Sequence, residues 1–237
     1  MTENEFIKEC EKINILLTSE QLNKFKTYYN LLKEWNEKFN LTAITEEKEV
    51  YLKHFYDSLC LSKIEKLNYK EICDFGTGAG FPGVPLAIVY NDSSFTLVES
   101  NGKKVKFLTE VINKLDLKNI KIINERVENI VKTYNEKFDI VTCRAVSNIN
   151  IILELSSRLI KINGIFAPLK SNIELETNDM TNKLINKLGF ECIKIIKYNL
   201  PSENSLRTIP IYIKKRETDK KYPRSYNVIL KESKKIN

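Results

Sequence analysis

The segment EICDFGTGAGFPGVPLAIVY, residues 71–90, constrains the fold of this chain more than any other feature. Its apolar start EICDFG is strand-like and ends in glycines, and the part after the glycines can form a helix. Strand-like and helix-like runs then alternate: FTLVE, KKVKFLTEVINKL, IKIIN, FDIVTC, INIILELSSRLIK and GIFAPL. This alternation predicts an α/β fold, in which helices cover both faces of a mostly parallel sheet.

The two ends of the chain predict additions to this sheet. Residues from about 5 to 65 repeat large apolar side chains at three- and four-residue steps, which predicts an amphipathic helical cap. The stripe comprises Leu22, Phe25, Tyr29, Leu32, Trp35 and Phe39. After a helix-like stretch near Leu175 to Leu188, the strand-like runs CIKIIKYNL and RTIPIYIKK lack a long helix between them, so we expect them to pair antiparallel at one side of the sheet. The predicted units are a cap (1–66), a core (67–216) and a basic tail (217–237).

Composition and charge describe an ordinary folded protein. The chain is 42% hydrophobic and 29% charged, and 38 Lys and Arg against 31 Asp and Glu give a formal charge of +7. That charge favours a polyanionic partner, although a lysine-rich composition alone would give the same value. Neither a signal peptide nor an apolar run long enough to cross a bilayer is present, so we expect a cytoplasmic protein. Five cysteines without a C-x-x-C pair are expected to be reduced and mostly buried, and no metal site is predicted.

The glycine loop favours one of two adenosine cofactors. Thr77-Gly78-Ala79-Gly80 permits a tight turn, close approach of a ligand to the backbone, and a following helix with free N–H groups. Gly78-x-Gly80-x-x-Gly83 also fits the dinucleotide fingerprint, which is weak evidence by itself. Asp74, however, ends the strand before the glycines, where its carboxylate would repel a pyrophosphate and attract the ammonium of a methionine moiety. Pro82 and Pro85 remove amide donors that a pyrophosphate would use. The loop therefore favours S-adenosylmethionine.

Further candidate ligands follow the next strands. Glu99 ends the second strand about twenty residues after the glycines, where an acidic residue commonly accepts hydrogen bonds from ribose. Val127-Glu128 follows the third strand and is a candidate for the adenine, and Arg144 follows the fourth strand beside the expected reactive methyl. The alternative for Glu99 and Glu128 is a solvated charge.

Seven motifs together resemble a known family, the bacterial guanine-N7 methyltransferases of small-subunit ribosomal RNA, also called glucose-inhibited division protein B. The resemblance runs from about Leu31 to Arg224 and rests on NLTAITEEKEVYLKHFYDSL, DFGTGAGFPGVPLAI, LVESNGKKVKFL, ERVE, CRAVSNI, GIFAPLKS and YPR. It implies a class I, Rossmann-like methyltransferase core with an N-terminal helical extension. The methyl acceptor is then N7 of a guanine in the 530-loop region of 16S ribosomal RNA, in the small ribosomal subunit.

The resemblance also implies roles for individual residues. Gly76, Phe81, Val127-Glu128 and Arg144 would line the cofactor site, with Asp74, Gly78 and Glu99 as supporting contacts. Candidates for the RNA side are His54, Lys170 and Arg224, of which Lys170 is, like Arg144, a candidate for positioning the acceptor. The sequence departs from the family after Arg224, where it reads SYNVILKESKKIN, and at Glu99, where an aspartate is common.

The chemistry of guanine N7 makes the lack of a catalytic pair understandable. N7 carries a lone pair and no proton, so its attack on a sulfonium methyl needs positioning and electrostatic support, not a general base. The tail combines Lys214-Lys215-Arg216 and Lys220-Lys221 with Tyr222, a mixture suited to single-stranded RNA or simply to a solvated edge. We expect a monomer without an obligatory protein partner.

Three other functions stay open from the residues alone. They are a methyltransferase for a protein or a small molecule, a nicotinamide-dependent oxidoreductase, and a non-catalytic RNA-binding protein with a relic pocket.

Overall fold

The computed structural model describes residues 1–233, so residues 234–237 of the predicted basic tail lie outside the described residues. The α-helices are α1 (Glu3–Lys12), α2 (Ser19–Phe39), α3 (Glu47–Glu49), α4 (Asp57–Leu59), α5 (Gly83–Val89), α6 (Gly102–Lys114), α7 (Val127–Tyr134), α8 (Ile149–Ser156), α9 (Asp179–Lys187) and α10 (Tyr226–Ser233). A π-helix (Val50–Tyr56) and two 3-10 turns (Cys60–Lys63 and Ile173–Leu175) complete the helical elements of this part of the chain. The strands are β1 (Glu71–Phe75), β2 (Ser94–Val98), β3 (Ile120–Ile123), β4 (Phe138–Thr142), β5 (Ile160–Phe166), β6 (Phe190–Asn199) and β7 (Leu206–Lys214).

The seven strands form one sheet in the order β3-β2-β1-β4-β5-β7-β6. Strands β1 to β5 run parallel, whereas β7 is antiparallel to both β5 and β6. The predicted mostly parallel sheet and the predicted antiparallel pair at its side are therefore confirmed. The strand order reverses between β1 and β4, and in open α/β sheets the crevice at such a point binds the ligand.

The central strand β1 is buried from both faces of the sheet. Ile72, Cys73, Asp74 and Phe75 are all at most 1% exposed, as expected for a parallel strand covered by helices on both sides. Asp74 is the polar exception in this apolar run. A fully buried carboxyl in the middle of a sheet is costly without partners, which makes this residue a candidate for function.

The helical cap packs directly on the glycine loop. Helix α2 begins with a capping box between Thr18 and Gln21, and its buried face includes Phe25 and Leu32, as predicted. The apolar stripe predicted from the sequence omits Tyr28 and Leu31, which are also buried, and it includes Phe39, which is 41% exposed at the helix end. The Tyr28 hydroxyl donates to the Ala79 carbonyl, and its ring stacks on Phe81 at 5.4 Å between centroids. The cap thus positions the loop, while the boundaries at residues 66 and 216 stay predictions.

Two side chains of the basic run near the C-terminus, for which RNA contact or a solvated edge was predicted, are buried. Lys214 is fully buried, and its ammonium donates to the carbonyls of Ser157 and Leu188 at 2.6 and 2.8 Å. These carbonyls end α8 and α9, where a cation compensates the helix dipole. Tyr222 is also buried, at 3% exposure. The proposed RNA contact through Lys214 and Tyr222 is therefore wrong for those two side chains, which stabilise the fold instead.

Two smaller expectations compare with the structure as follows. The helix predicted near Leu175 begins only at Asp179, because the Asn178 side chain accepts from the N–H groups of Met180 and Thr181 and fixes the helix start. The five cysteines are unpaired, and Cys192 alone among them is exposed. Within residues 1–233, no helix is both long and apolar enough to cross a membrane.

Candidate cofactor and acceptor site

The glycine loop after β1 needs three of its glycines for conformational reasons. Gly76, Gly78 and Gly80 have φ values of +63°, +64° and +100°, where side chains are strained. The Gly76 N–H donates to the Val98 carbonyl at 2.8 Å, which ties the loop to the end of β2. A Cβ atom on Gly76 would lie 2.7 Å from a Val146 methyl group. The loop therefore has no space for a side chain at position 76.

Asp74 holds this loop from beneath with one of its two carboxylate oxygens. Its Oδ2 accepts from the Thr77 hydroxyl at 2.6 Å and from the Gly83 N–H at 2.8 Å. Within residues 1–233, its buried Oδ1 has no hydrogen-bond partner. Burial raises the pKa of Asp74 to about 7, against the lowering effect of the Thr77 and Gly83 bonds. An unsatisfied buried carboxylate oxygen at the end of β1 fits a cationic ligand such as the ammonium of S-adenosylmethionine.

Glu99 connects the glycine loop to the segment that follows β2. Its Oε2 accepts from the Gly78 N–H at 2.9 Å and its Oε1 from the Asn101 N–H at 2.8 Å. The side chain is buried, and each oxygen keeps a lone pair for a further donor such as a ribose hydroxyl. The predicted ribose contact remains a prediction, but the solvated-charge alternative for Glu99 is wrong because the residue is only 7% exposed.

A cavity of about 110 Å³ lies beside this loop, at the ends of β1 to β3. Val127 and Glu128 line it, together with residues that the sequence did not single out, among them Ser100, Val146 and Tyr226. Glu128 is paired with Arg126 at 2.9 Å, and the Arg126 guanidinium lies 5.1 Å from the Tyr226 ring centroid. Val146 stands within the quoted motif CRAVSNI, so that motif carried a usable signal, whereas Tyr226 lies beyond the resemblance.

A second, larger cavity of about 340 Å³ lies between the cap and the ends of β4 and β5. Its lining includes the predicted residues His54, Arg144 and Lys170. The sequence did not single out its other charged residues, which are Lys53, Asp57, Glu176 and Arg207.

Arg144 joins the end of β4 to the helical cap. Its Nη1 donates to the Lys53 carbonyl at 2.7 Å and to Asp57 Oδ2 at 3.2 Å, and its Nη2 lies 3.0 Å from His54 Nδ1. The guanidinium also stands 5.1 Å from the Phe81 ring centroid. Lys53 and His54 belong to the π-helix, a distortion that is frequent at functional sites. The guanidinium is therefore held in one orientation from several sides.

His54 is a neutral, packed side chain at this junction. It is 8% exposed, its ring stacks on Phe81 at 4.4 Å, and its Nε2 lies 2.9 Å from the Thr42 hydroxyl. Burial, and then the neighbouring Arg144 charge, lower the pKa of His54 to about 3. Because a guanidinium can only donate, Nδ1 is the acceptor and Nε2 carries the proton. His54 therefore orients Arg144 without a charge of its own.

Lys170 and Glu176 form an ion pair on the opposite wall of the larger cavity. The two head groups are 2.7 Å apart, and their side chains are 11% and 24% exposed. The Lys170 ammonium also donates to the Ser147 carbonyl at 2.8 Å. Glu176 Oε2 accepts from the Ile149 N–H at the start of α8, also at 2.8 Å. The pair therefore contacts the segment that follows Arg144 at two points, Ser147 and Ile149.

The structure separates Arg224 from the other RNA-side candidates. Its guanidinium and its backbone N–H donate three hydrogen bonds of 2.7 to 2.9 Å to the carboxylate of Glu154 in α8. The guanidinium also forms an ion pair with Glu232 at 2.7 Å. It lines a different cavity, between α8, α9 and α10. Glu154 is 1% exposed, so this contact anchors the C-terminal region. A role of Arg224 in binding RNA stays a prediction.

Three comparisons with known proteins bear on this site. The family model described as rRNA small subunit methyltransferase G matches residues 21–205. A ribosomal RNA small subunit methyltransferase G of Oceanobacillus iheyensis is 40% identical over 235 residues, covering 98% of this chain and 99% of that protein. One of Staphylococcus aureus strain JH9 is 42% identical over 226 residues, covering 94% and 95%.

Solved structures agree on the fold at low sequence identity. A SAM-dependent methyltransferase from Aquifex aeolicus superposes with a TM-score of 0.56 at 17% identity, covering 74% of this chain and 97% of that one. A precorrin-6y C5,15-methyltransferase from Geobacter metallireducens superposes at 0.51 and 13% identity, covering 67% and 87%. The predicted class I methyltransferase fold is thereby confirmed. The chain belongs to the family of ribosomal RNA small subunit methyltransferase G.

Proposed function

We propose that this chain transfers the methyl group of S-adenosylmethionine to N7 of a guanine in the 530-loop region of 16S ribosomal RNA. One observation supports this assignment above the others: consecutive residues of the short segment after β4 line two cavities. Val146 lines the smaller cavity at the glycine loop, and Arg144 and Ala145 line the larger one beside the cap. A methyl donor in the first and an acceptor base in the second would meet across this segment.

The cofactor side uses residues at the ends of β1, β2 and β3. Asp74 faces the ammonium, Glu99 accepts from the ribose hydroxyls, and Val127-Glu128 contacts the adenine. Gly76 and Gly78 let the ligand approach the backbone, and Phe81 closes the site beneath Arg144. S-adenosylmethionine supplies an electrophilic methyl group on a sulfonium when bound.

The acceptor side needs positioning rather than proton transfer. Guanine N7 offers a lone pair and carries no proton, so the surrounding residues have only to hold the base in line with the methyl group. The His54 geometry agrees with this, because both ring nitrogens are already engaged and the ring is neutral. Arg144, Lys170 and Arg207 give the cavity a cationic wall that suits an RNA phosphate or the guanine O6.

The RNA partner is also supported by the charge of the chain. The formal charge of +7 attracts a polyanion. We further propose that the protein acts in the cytoplasm as a monomer on the RNA or the small subunit. Family membership leaves no support for the nicotinamide-dependent oxidoreductase.

Transfer of label from S-adenosylmethionine tests the acceptor class. The protein is incubated with labelled cofactor and, separately, with small-subunit RNA, assembled small subunits, or a ribosome-free protein and metabolite extract. We expect label in 16S RNA, confined to one guanine. Label in the extract alone would favour a protein or small-molecule acceptor. No transfer to RNA in any assembly state would leave a non-catalytic RNA-binding protein.

A pH dependence of cofactor binding follows from Asp74. The pKa of the free protein's carboxyl is raised to about 7, and a ligand ammonium beside it favours the ionised form and lowers that pKa again. Below about pH 7, binding must therefore release a proton, so affinity rises with pH up to about 7 and then levels off. Calorimetry with S-adenosylhomocysteine in two buffers of different ionisation enthalpy measures the released proton.

Asp74→Asn is the control for this linkage. The amide oxygen can still accept from the Gly83 N–H and hold the loop, but it does not titrate. Binding to this variant should be weaker and independent of pH. A wild-type affinity that stays flat between about pH 5.5 and 7.5, without proton release, would contradict the contact between Asp74 and the ammonium.

A further inference from the structure

The Lys170–Glu176 pair presents a hydrogen-bond donor beside an acceptor in the larger cavity. In the described part of the chain, the Lys170 ammonium donates a hydrogen bond to the Ser147 carbonyl and forms an ion pair with Glu176, and it has three protons to donate. Glu176 Oε1 accepts from Lys170 and keeps a further lone pair. A ligand in the cavity therefore meets one donor and one acceptor whose atoms are 2.7 Å apart.

Each head group is held by a main-chain group, the Lys170 ammonium by the Ser147 carbonyl and the Glu176 carboxylate by the Ile149 N–H. Lys170 exchanges two backbone hydrogen bonds with Thr208 of β7, at 2.9 and 2.8 Å. Glu176 follows the 3-10 turn Ile173–Leu175, and its Oε2 is held by the Ile149 N–H at 2.8 Å. A donor and an acceptor that are held by separate elements keep their order along the cavity wall. Such preorganisation is what selective recognition of a base requires.

The order of donor and acceptor matches guanine and opposes adenine. On its Watson–Crick edge guanine presents the acceptor O6 next to the donor N1–H, whereas adenine presents the donor N6–H₂ next to the acceptor N1. RNA-binding proteins read this edge once a base is unstacked. We propose that Lys170 donates to O6 and Glu176 accepts from N1–H, so that this pair selects guanine as the methyl acceptor. This inference rests on the proposed function.

The position of the pair also suits N7 as the reacting atom. N7 adjoins O6 on the purine, and Leu169, the neighbour of Lys170, pairs in register with the backbone of Arg144. In the proposed pose, the base held at O6 by Lys170 turns N7 towards the segment that begins at Arg144. The base becomes cationic as N7 takes the methyl group and the sulfur keeps the electron pair of its broken bond. A carboxylate on N1–H binds that cationic state more strongly than the neutral base, so Glu176 also favours the transition state.

The test reverses the order of donor and acceptor on the base and, in the protein, replaces the acceptor Glu176 by a side chain that can donate. Small-subunit RNA is joined from pieces so that the target position carries either guanine or 2,6-diaminopurine, which keeps N7 and the 2-amino group but has N6–H₂ and an unprotonated N1. The wild type should prefer guanine by about a hundredfold in kcat/KM, since a mismatched bidentate contact discriminates strongly. In Glu176→Gln the amide oxygen keeps the Ile149 bond and the amide nitrogen turns to the base. The preference should fall by about tenfold or more.

Glu174→Gln is the matched control, because Glu174 lies on the same segment but is exposed and pairs with Lys197. It should keep the wild-type preference. If Glu176→Gln is too slow to assay, the preference is measured as the ratio of affinities for the two RNAs in the presence of S-adenosylhomocysteine. A Glu176→Gln enzyme that loses activity equally on both RNAs would show that the pair only braces the loop, and would overturn the proposal.

Methyl transfer to guanine and the reading of guanine by Lys170 and Glu176 are tested by different outcomes of this experiment. A wild-type enzyme that methylates no guanine in this RNA contradicts the proposed function, and base reading with it. A wild-type enzyme that methylates guanine and 2,6-diaminopurine at equal rates leaves the proposed function intact and removes only the reading by Lys170 and Glu176.

Discussion

Gly76→Asp is expected to abolish cofactor binding while the protein stays folded. A side chain at this position must adopt φ near +63° and would place its Cβ 2.7 Å from a Val146 methyl group. The backbone strain lowers the free energy of unfolding by about 1–3 kcal/mol. The affinity itself falls because the new carboxylate takes space beside the loop and adds a like charge near Asp74 and Glu99. We expect the affinity for S-adenosylhomocysteine to fall by at least about a hundredfold, since each 1.4 kcal/mol is a factor of ten. Isothermal calorimetry measures it.

Gly102→Ala is the control for this substitution. Gly102 starts α6, has no positive φ, and a Cβ there meets no atom closer than 3.9 Å. This variant should bind the cofactor like the wild type, and circular dichroism should report a folded protein for both variants. Retained binding in a folded Gly76→Asp protein would overturn the placement of the cofactor at this loop.

Arg144→Ala should reduce methyl transfer by about a hundredfold or more, because a small misplacement of a positioned group costs that much. The substitution removes the only guanidinium contacts of the described chain to the Lys53 carbonyl and His54 Nδ1. It also takes a charged partner from Asp57, which is 4% exposed, and this should lower the free energy of unfolding by about 1–3 kcal/mol. Asp57 keeps the Tyr198 hydroxyl at 2.8 Å and Arg207 at 3.6 Å, which limits the loss.

Two further variants separate rate from stability at this junction. Arg144→Lys restores a charge beside Asp57 but not the planar fork that reaches several acceptors at once, so stability should recover more than rate. Arg158→Ala removes an arginine that bonds the Lys220 and Tyr222 carbonyls before β5, at the other end of the sheet. It should lower stability and leave kcat unchanged. Steady-state kinetics and denaturant unfolding decide this, and an Arg144→Lys enzyme with full activity would contradict the positioning role.

Local patterns in the sequence predicted most of the fold. The change at Glu71 from helical periodicity to short apolar runs indicated where the parallel sheet begins, because a parallel strand is buried on both faces. The absence of a long helix between the last two strands predicted their antiparallel pairing. These features depend on neighbours in the chain, so one sequence suffices to read them.

Features that depend on distant pairs were not predictable in the same way. Asp57 meets Arg144 across 87 residues, and Tyr198 meets the same carboxylate across 141. No periodicity records such contacts, and Asp57 reads as an ordinary charge in a helical segment. Lys214 stands in a basic run that is typical of a solvated edge, but its position at the end of β7 places it against the carboxyl ends of two helices.

The candidate site shows the same division. The residues of the glycine loop follow from motif and spacing, because each acts through its own local turn. No local sequence pattern marks Glu176, because its role depends on its ion pair with Lys170 and on its hydrogen bond from the Ile149 N–H at the start of α8. Arg224 stood in a motif of the resemblance, but sequence alone could not show that buried Glu154 holds it.

The most direct measurement of the central claim replaces the accepting atom itself. Small-subunit RNA is prepared with 7-deazaguanine at the target position, which substitutes a C–H group for N7 and keeps O6, N1–H and the 2-amino group. With the wild-type protein and labelled S-adenosylmethionine, we expect methylation of the guanine RNA and none of the 7-deazaguanine RNA, although both bind with similar affinity. Equal methylation of both RNAs would contradict transfer to N7.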